Sequence, residues 1–117
     1  MTVSGNFRDF VLEQLGRQVA NIRFKRMFGG GGVYSGDAIF ALLDDDQVYL
    51  KGDAVSRPHY QAAGWPAFAP MGEGGGTMSY YAMPGELLED DEARAPWVQL
   101  ALETAHRKAA KTPRRTG

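Results

Sequence analysis

Four consecutive glycines, Gly29 to Gly32, separate a segment that alternates bulky and charged residues from one that opens Val33-Tyr34. Glycine runs serve either to turn the backbone or to bring it against a phosphate, and the residues that follow decide which. A phosphate loop needs a helix N-terminus directly after its glycines, and the P-loop form ends on Lys-Ser or Lys-Thr. Here Val33-Tyr34 starts a strand pattern, so the run is expected to be a tight, bulged connection between strands that exploits glycine's access to positive φ.

The flanking segments follow from that placement. Ile22, Phe24, Arg26 and Phe28 alternate with Arg23, Lys25 and Met27, the pattern of a half-buried strand. After Val33-Tyr34 and a Ser35-Gly36-Asp37 turn, the run Ile39 to Leu43 is apolar on both faces and is expected to be the central, most buried strand. Asp44-Asp45-Asp46 reads as a three-residue hairpin connection to a returning strand, Gln47 to Lys51. Upstream, Phe7, Val11 and Leu15 form the stripe of a helix over 5–18, with Ser4 or Asn6 at its N-cap.

Downstream, Ser56 is placed to cap a short helix that Gly64 stops, and a proline-rich connection spans 65–70. Met71 to Gly76 reads as a flexible glycine-rich loop, and Thr77 to Met83 as a further strand. The acids Glu89 to Glu92 precede Pro96-Trp97 and a long helix whose Val98, Ala101, Leu102, Ala105 and Ala109 share a face, with His106, Arg107 and Lys108 towards its C-terminal end. The element order predicts a two-layer α+β fold, an antiparallel sheet of about five strands with helices on one face and long helices at both termini. Residues 1–110 are expected to form one domain and 111–117 a disordered basic tail.

Composition narrows the function classes. Thirteen basic and fourteen acidic residues leave a net charge of −1, so no global field draws in nucleic acid or an anionic membrane. With no cysteine, disulfides, thiolate metal sites and thiol catalysis are excluded. No window approaches the roughly 20 apolar residues of a membrane-spanning helix, and a cytoplasmic location is expected.

Candidate chemistry is sparse. His59 and His106 lie on different expected helices without a second ligand at helical spacing, so no metal site is expected. Asp44 to Asp46 lack the alternating donors of a calcium loop, and no Gly-x-Ser-x-Gly elbow accompanies Ser56 or Ser79. Neither enzymatic activity nor a cofactor is expected. Arg23, Lys25 and Arg26, with the basic tail, make weak nucleic-acid binding the alternative function. Trp65, Phe68, Tyr80 and Tyr81 are candidate walls of a small-molecule site under the 71–76 loop, though aromatics this dense more often form core.

The string Arg26-Met27-Phe28-Gly29-Gly30-Gly31-Gly32-Val33-Tyr34, followed in order by Phe40-Ala41-Leu42, Tyr49-Leu50-Lys51, Pro66 and Phe68, Met78-Ser79-Tyr80-Tyr81, Pro84 and Trp97, resembles the N-terminal domain of the TfoX/Sxy competence regulators. The resemblance runs from Phe7 to about Ala109. It implies a two-layer α+β fold and a non-catalytic regulatory role in DNA uptake and transformation, exerted through transcription. Larger members carry a second, helical C-terminal domain; this chain ends before one could begin, so a stand-alone domain is expected. A protein partner is expected to bind the sheet face or the glycine hairpin, through Arg26, Phe28, Gly29, Gly30, Gly32, Tyr34, Tyr80 and Tyr81. Nothing in the sequence sets the oligomeric state, and a dimer is compatible with it.

Overall fold

A computed structural model describes residues 5–27, 30–69 and 78–111, with side chains to 108. Helix α1 (Gly5–Gly16) is followed by strands β1 (Ile22–Met27), β2 (Gly30–Ser35), β3 (Ala38–Asp44) and β4 (Gln47–Lys51). Helix α2 (Arg57–Ala62), β5 (Ala67–Phe68), β6 (Met78–Ala82), a 3-10 turn over Gly85–Glu89 and helix α3 (Asp91–Lys111) complete the order. The strands form one sheet in the order β1-β2-β3-β4-β6-β5, every neighbouring pair antiparallel. The expected α+β architecture holds, with six strands among the described residues rather than about five; the extra one is the two-residue β5, inside the segment read as a proline-rich connection.

Register shows how the layers form. Val33 faces Ala41, which faces Leu50, which faces Tyr81, and Leu43 faces Val48. All six are buried and pack with Val11 and Leu15 of α1 and with Val98, Ala101 and Ala105 of α3. A bulge opposite the Val33-Tyr34 step brings the fully buried Phe40 into the same core as Ala41. Tyr60 of α2 completes the layer, stacking on Trp65, Tyr81 and Trp97 at centroid distances of 5.4, 5.1 and 5.8 Å and donating its hydroxyl to the Lys51 carbonyl at 2.9 Å.

The principal correction concerns the glycine run. It is not a connection leading to a strand at Val33: Gly30, Gly31 and Gly32 are themselves residues of β2, paired with Met27, Arg26 and Lys25. None of them has a left-handed φ. They are glycines because there is no room for a side chain. A Cβ on Gly30 would land on the Leu43 carbonyl oxygen, one on Gly31 on the Phe24 ring, and one on Gly32 would lie 2.7 Å from Ile39 Cδ1. Phe28 and Gly29 lie outside the described residues, as does the segment 71–76 that was expected to be a glycine-rich loop.

Smaller differences have local causes. Asp45 and Asp46 alone form the β3–β4 turn, at φ 51° and 55°, the two-residue hairpin geometry whose left-handed positions Asp tolerates; Asp44 pairs with Gln47. Helix α1 ends at Gly16, two residues early. Helix α3 starts at Asp91 rather than near Pro96, because the Asp90 carboxylate accepts the Ala93 N–H at 3.0 Å and so caps the helix there. Ser56 occupies the N-cap of α2 without capping it; its hydroxyl donates to Asp53 Oδ1 at 3.1 Å and accepts from Thr104 at 2.9 Å.

One side chain ties the two long helices together. Arg94 is fully buried, and all five of its N–H donors are used. Nε donates to Gln18 Oε1 at 2.9 Å, Nη1 to the carbonyls of Leu87 and Leu88 at 3.0 and 2.9 Å, and Nη2 to the Gln14 carbonyl at 3.1 Å and Asp91 Oδ1 at 2.6 Å. Among the described residues, no helix is long and apolar enough to cross a membrane.

Candidate functional site

Helices cover one face of the sheet, so alternation sends every second strand residue to the other face. From the register these are Arg23, Lys25 and Met27 of β1, Gly30, Gly32 and Tyr34 of β2, Ile39 and Leu42 of β3, Tyr49 and Lys51 of β4, and Met78, Tyr80 and Ala82 of β6. A solvated sheet face carries polar residues at such positions. Here Met27, Tyr34, Ile39, Leu42, Tyr49, Phe68 and Ala82 are half-buried and stand apart from the helix-side core.

The face is organised around its glycines and rings. Met27 Cε, Ile39 Cδ1 and the Tyr34 ring close over Gly32, each within 3.1 Å of where its Cβ would lie, so the absent side chain lets three neighbours converge. Further along, Tyr49 and Phe68 pack with centroids 4.5 Å apart and planes tilted by 44°. Tyr80 is buried, and its hydroxyl accepts a bond from Lys51 Nζ at 3.1 Å. Burial, with Tyr34 on the same face adding to it, pushes the Tyr80 hydroxyl up to about 12. Burial likewise raises Tyr49, helped by Asp44 and Asp45. Both rings therefore stay protonated, and neutral, at physiological pH.

The residues singled out from sequence do not gather in one place. Gly30, Gly32, Tyr34 and Tyr80 lie on the helix-free face. Tyr81 points the opposite way, into the helix-side core against Tyr60, and Arg26 is exposed at the sheet edge on that same helix side. The three cations of the nucleic-acid alternative are accordingly split: Arg23 and Lys25 on one face, Arg26 on the other, with Arg23 paired to Asp37 at 3.2 Å. Trp65 and Tyr81 belong to the core while Phe68 belongs to the other face, so the proposed aromatic walls do not enclose one cavity. Residues 112–117 of the basic tail lie outside the described residues.

Sequence reasoning missed Ile39, Leu42 and Tyr49 as surface candidates, and placed Phe68 only in the wall of a small-molecule site. The signal was present in the doubly apolar run Ile39 to Leu43, which was read as burial on both sides. Among the described residues, no three His, Asp or Glu side chains are grouped to hold a metal ion.

The order of elements, the glycine strand and the aromatic positions meet in one comparison: the family model for the TfoX N-terminal domain matches residues 13–105. The chain belongs to that family. As a TfoX N-terminal domain it carries the family model across all six strands, and the match ends within α3. No match was found among the curated proteins compared with it.

Proposed function

We propose that this TfoX N-terminal domain is a non-enzymatic regulatory module that binds a protein partner on the helix-free face of its sheet. The observation that carries the reading is the half-buried apolar surface of Met27, Tyr34, Ile39, Leu42, Tyr49 and Phe68, where a solvated sheet would be polar. Membership of the TfoX family supports a setting in competence and transformation.

The partner's chemistry follows from the rim. Lys25 and Lys51 project from this face, Arg23 is neutralised by Asp37, and Asp44 stands at one end of β3. The fitting occupant is an apolar protein segment flanked by acids, whose charges steer the encounter while the rings supply contact area. The split of Arg23, Lys25 and Arg26 between two faces favours this over nucleic acid.

Affinity purification should recover a stoichiometric partner with the wild-type chain and with Gln99→Asp, on the exposed side of α3, but lose it with Tyr34→Ala and Tyr49→Ala that keep the wild-type circular dichroism spectrum. Equal recovery by all four chains would place the partner elsewhere.

A further inference from the structure

At the end of β4 and the start of β6, where Lys51 and Tyr80 at the margin of the helix-free face meet the last described turns of α3, a cleft of about 510 Å³ opens. Among the described residues, four cations line it, Lys51, Arg57, Arg107 and Lys108, against the single carboxylate of Asp53. In a chain whose net charge is −1, this is a local excess of the opposite sign.

The one carboxylate is already committed. Asp53 accepts from Arg107 through both oxygens, Nε to Oδ2 at 2.9 Å and Nη2 to Oδ1 at 3.0 Å. It also accepts the Val55 and Ser56 N–H groups, each at 3.0 Å, and the Ser56 hydroxyl. Arg107 holds its carboxyl well below the usual carboxylate range, so at neutral pH it is an ion whose bonding capacity is spent on the protein.

Donors into the cleft, by contrast, are left over. Lys51 is half-buried, and among the described residues no carboxylate lies within ion-pair distance of its ammonium. Its bond goes to the Tyr80 hydroxyl, whose ring centroid is 5.1 Å away. That hydroxyl accepts the bond and keeps its own proton to donate. Arg107 is gripped through Nε and Nη2, leaving Nη1 outside those bonds. Burial and the neighbouring Lys108 charge hold the Lys51 ammonium below its ordinary value, the signature of a cation lacking its counter-ion.

We propose that this cleft binds the phosphate group of a small phosphate-bearing anion. Lys51, the Tyr80 hydroxyl and Arg107 Nη1 are its ligands on three separate elements, with Lys108 adding charge. A carboxylate offers two oxygens and one charge; a phosphate offers three or more oxygens and up to two charges, matching several donors that converge from separate elements on a cleft lined by cations. The cleft lies within the roughly 300–1,000 Å³ typical of small-ligand sites, leaving room for an organic moiety beyond the phosphate.

Titration of the ¹⁵N-labelled chain with inorganic phosphate and, separately, with glycerol phosphate at constant ionic strength tests this. Saturable shifts confined to β4, β6 and the end of α3 are expected, weakened about tenfold in Lys51→Met and in Tyr80→Phe, the loss of one charge-assisted bond, and unchanged in Arg23→Met. Tighter binding of the ester identifies an esterified ligand; equal binding identifies free phosphate. No saturable shift with either probe, or equal weakening by Arg23→Met, would overturn the proposal. Because Tyr80→Phe preserves the buried ring, its result stands even if Lys51→Met fails to fold.

Discussion

Replacing Arg94 by methionine removes a fully buried guanidinium while filling most of its volume, so the loss isolates the hydrogen bonds. Five are broken, to Gln18 Oε1, the carbonyls of Leu87, Leu88 and Gln14, and Asp91. Asp91 is about half exposed (47% of its side chain) and regains water; the carbonyls do not regain it freely. A buried acceptor stripped of its partner costs about 1–3 kcal/mol, and such costs are not additive within one network. A total of about 3–5 kcal/mol is expected, in the range for removing one member of a buried charged cluster. For a chain of this length that corresponds to a fall in Tm of roughly 12–20 °C. Urea unfolding followed by circular dichroism measures the free energy directly, with m unchanged. Arg94→Lys should recover little of it, since an ammonium has three donors and no planar fork with which to reach four backbone and side-chain oxygens and Asp91 together. A loss below about 1 kcal/mol in Arg94→Met would refute the claim that this side chain ties α1, the 3-10 turn and α3 together.

Three further outcomes follow from the geometry. Gly30→Ala should destabilise by about 1–3 kcal/mol by denaturant unfolding, because its Cβ meets a backbone oxygen of β3 that has no rotamer to escape into; wild-type stability would mean β2 packs otherwise. Tyr60→Phe, which keeps the stack but loses the bond to the Lys51 carbonyl, should cost about 0.5–1.5 kcal/mol, and Tyr60→Ala about 3–5. The Asp53 carboxyl has its folded pKa depressed by Arg107 and its ordinary value at 3.8, so its contribution to stability is complete above about pH 5 and lost as pH falls through 3.8 and below. Asp53→Asn should therefore flatten the acid limb of the stability profile; an unchanged slope would show that the clasp contributes nothing.

Patterns with a period of two or of 3.6 made most elements readable: the alternation Ile22 to Met27 and the stripe Val98, Ala101, Ala105 lie where periodicity puts them, and the apolar run Ile39 to Leu43 is a strand, though the bulge at Phe40 breaks its period. What failed was the reading of glycine by its φ freedom alone. Gly30 to Gly32 are needed for the volume they lack, and that depends on Phe24, Leu43 and Ile39, whose approach only the folded sheet reveals. Arg94 was invisible for a similar reason: within Asp91 to Pro96 it looks like a surface helix residue, and its acceptors come from up to 80 positions away. The Asp53–Arg107 clasp spans 54 positions. For the candidate surface, Tyr34 and Tyr80 were legible as aromatic strand residues, but Tyr81 required the register, which sends adjacent tyrosines to opposite faces.

The central claim, that the helix-free face receives a protein segment, is tested most directly by placing a photo-cross-linking phenylalanine at Tyr34, Tyr49 or Gln99 and irradiating the cell. The account predicts one shared adduct from positions 34 and 49, mapping to an apolar, acid-flanked segment of the partner, and none from position 99. Adducts from position 99 alone, or none from 34 and 49 in a chain shown to be folded, would contradict it.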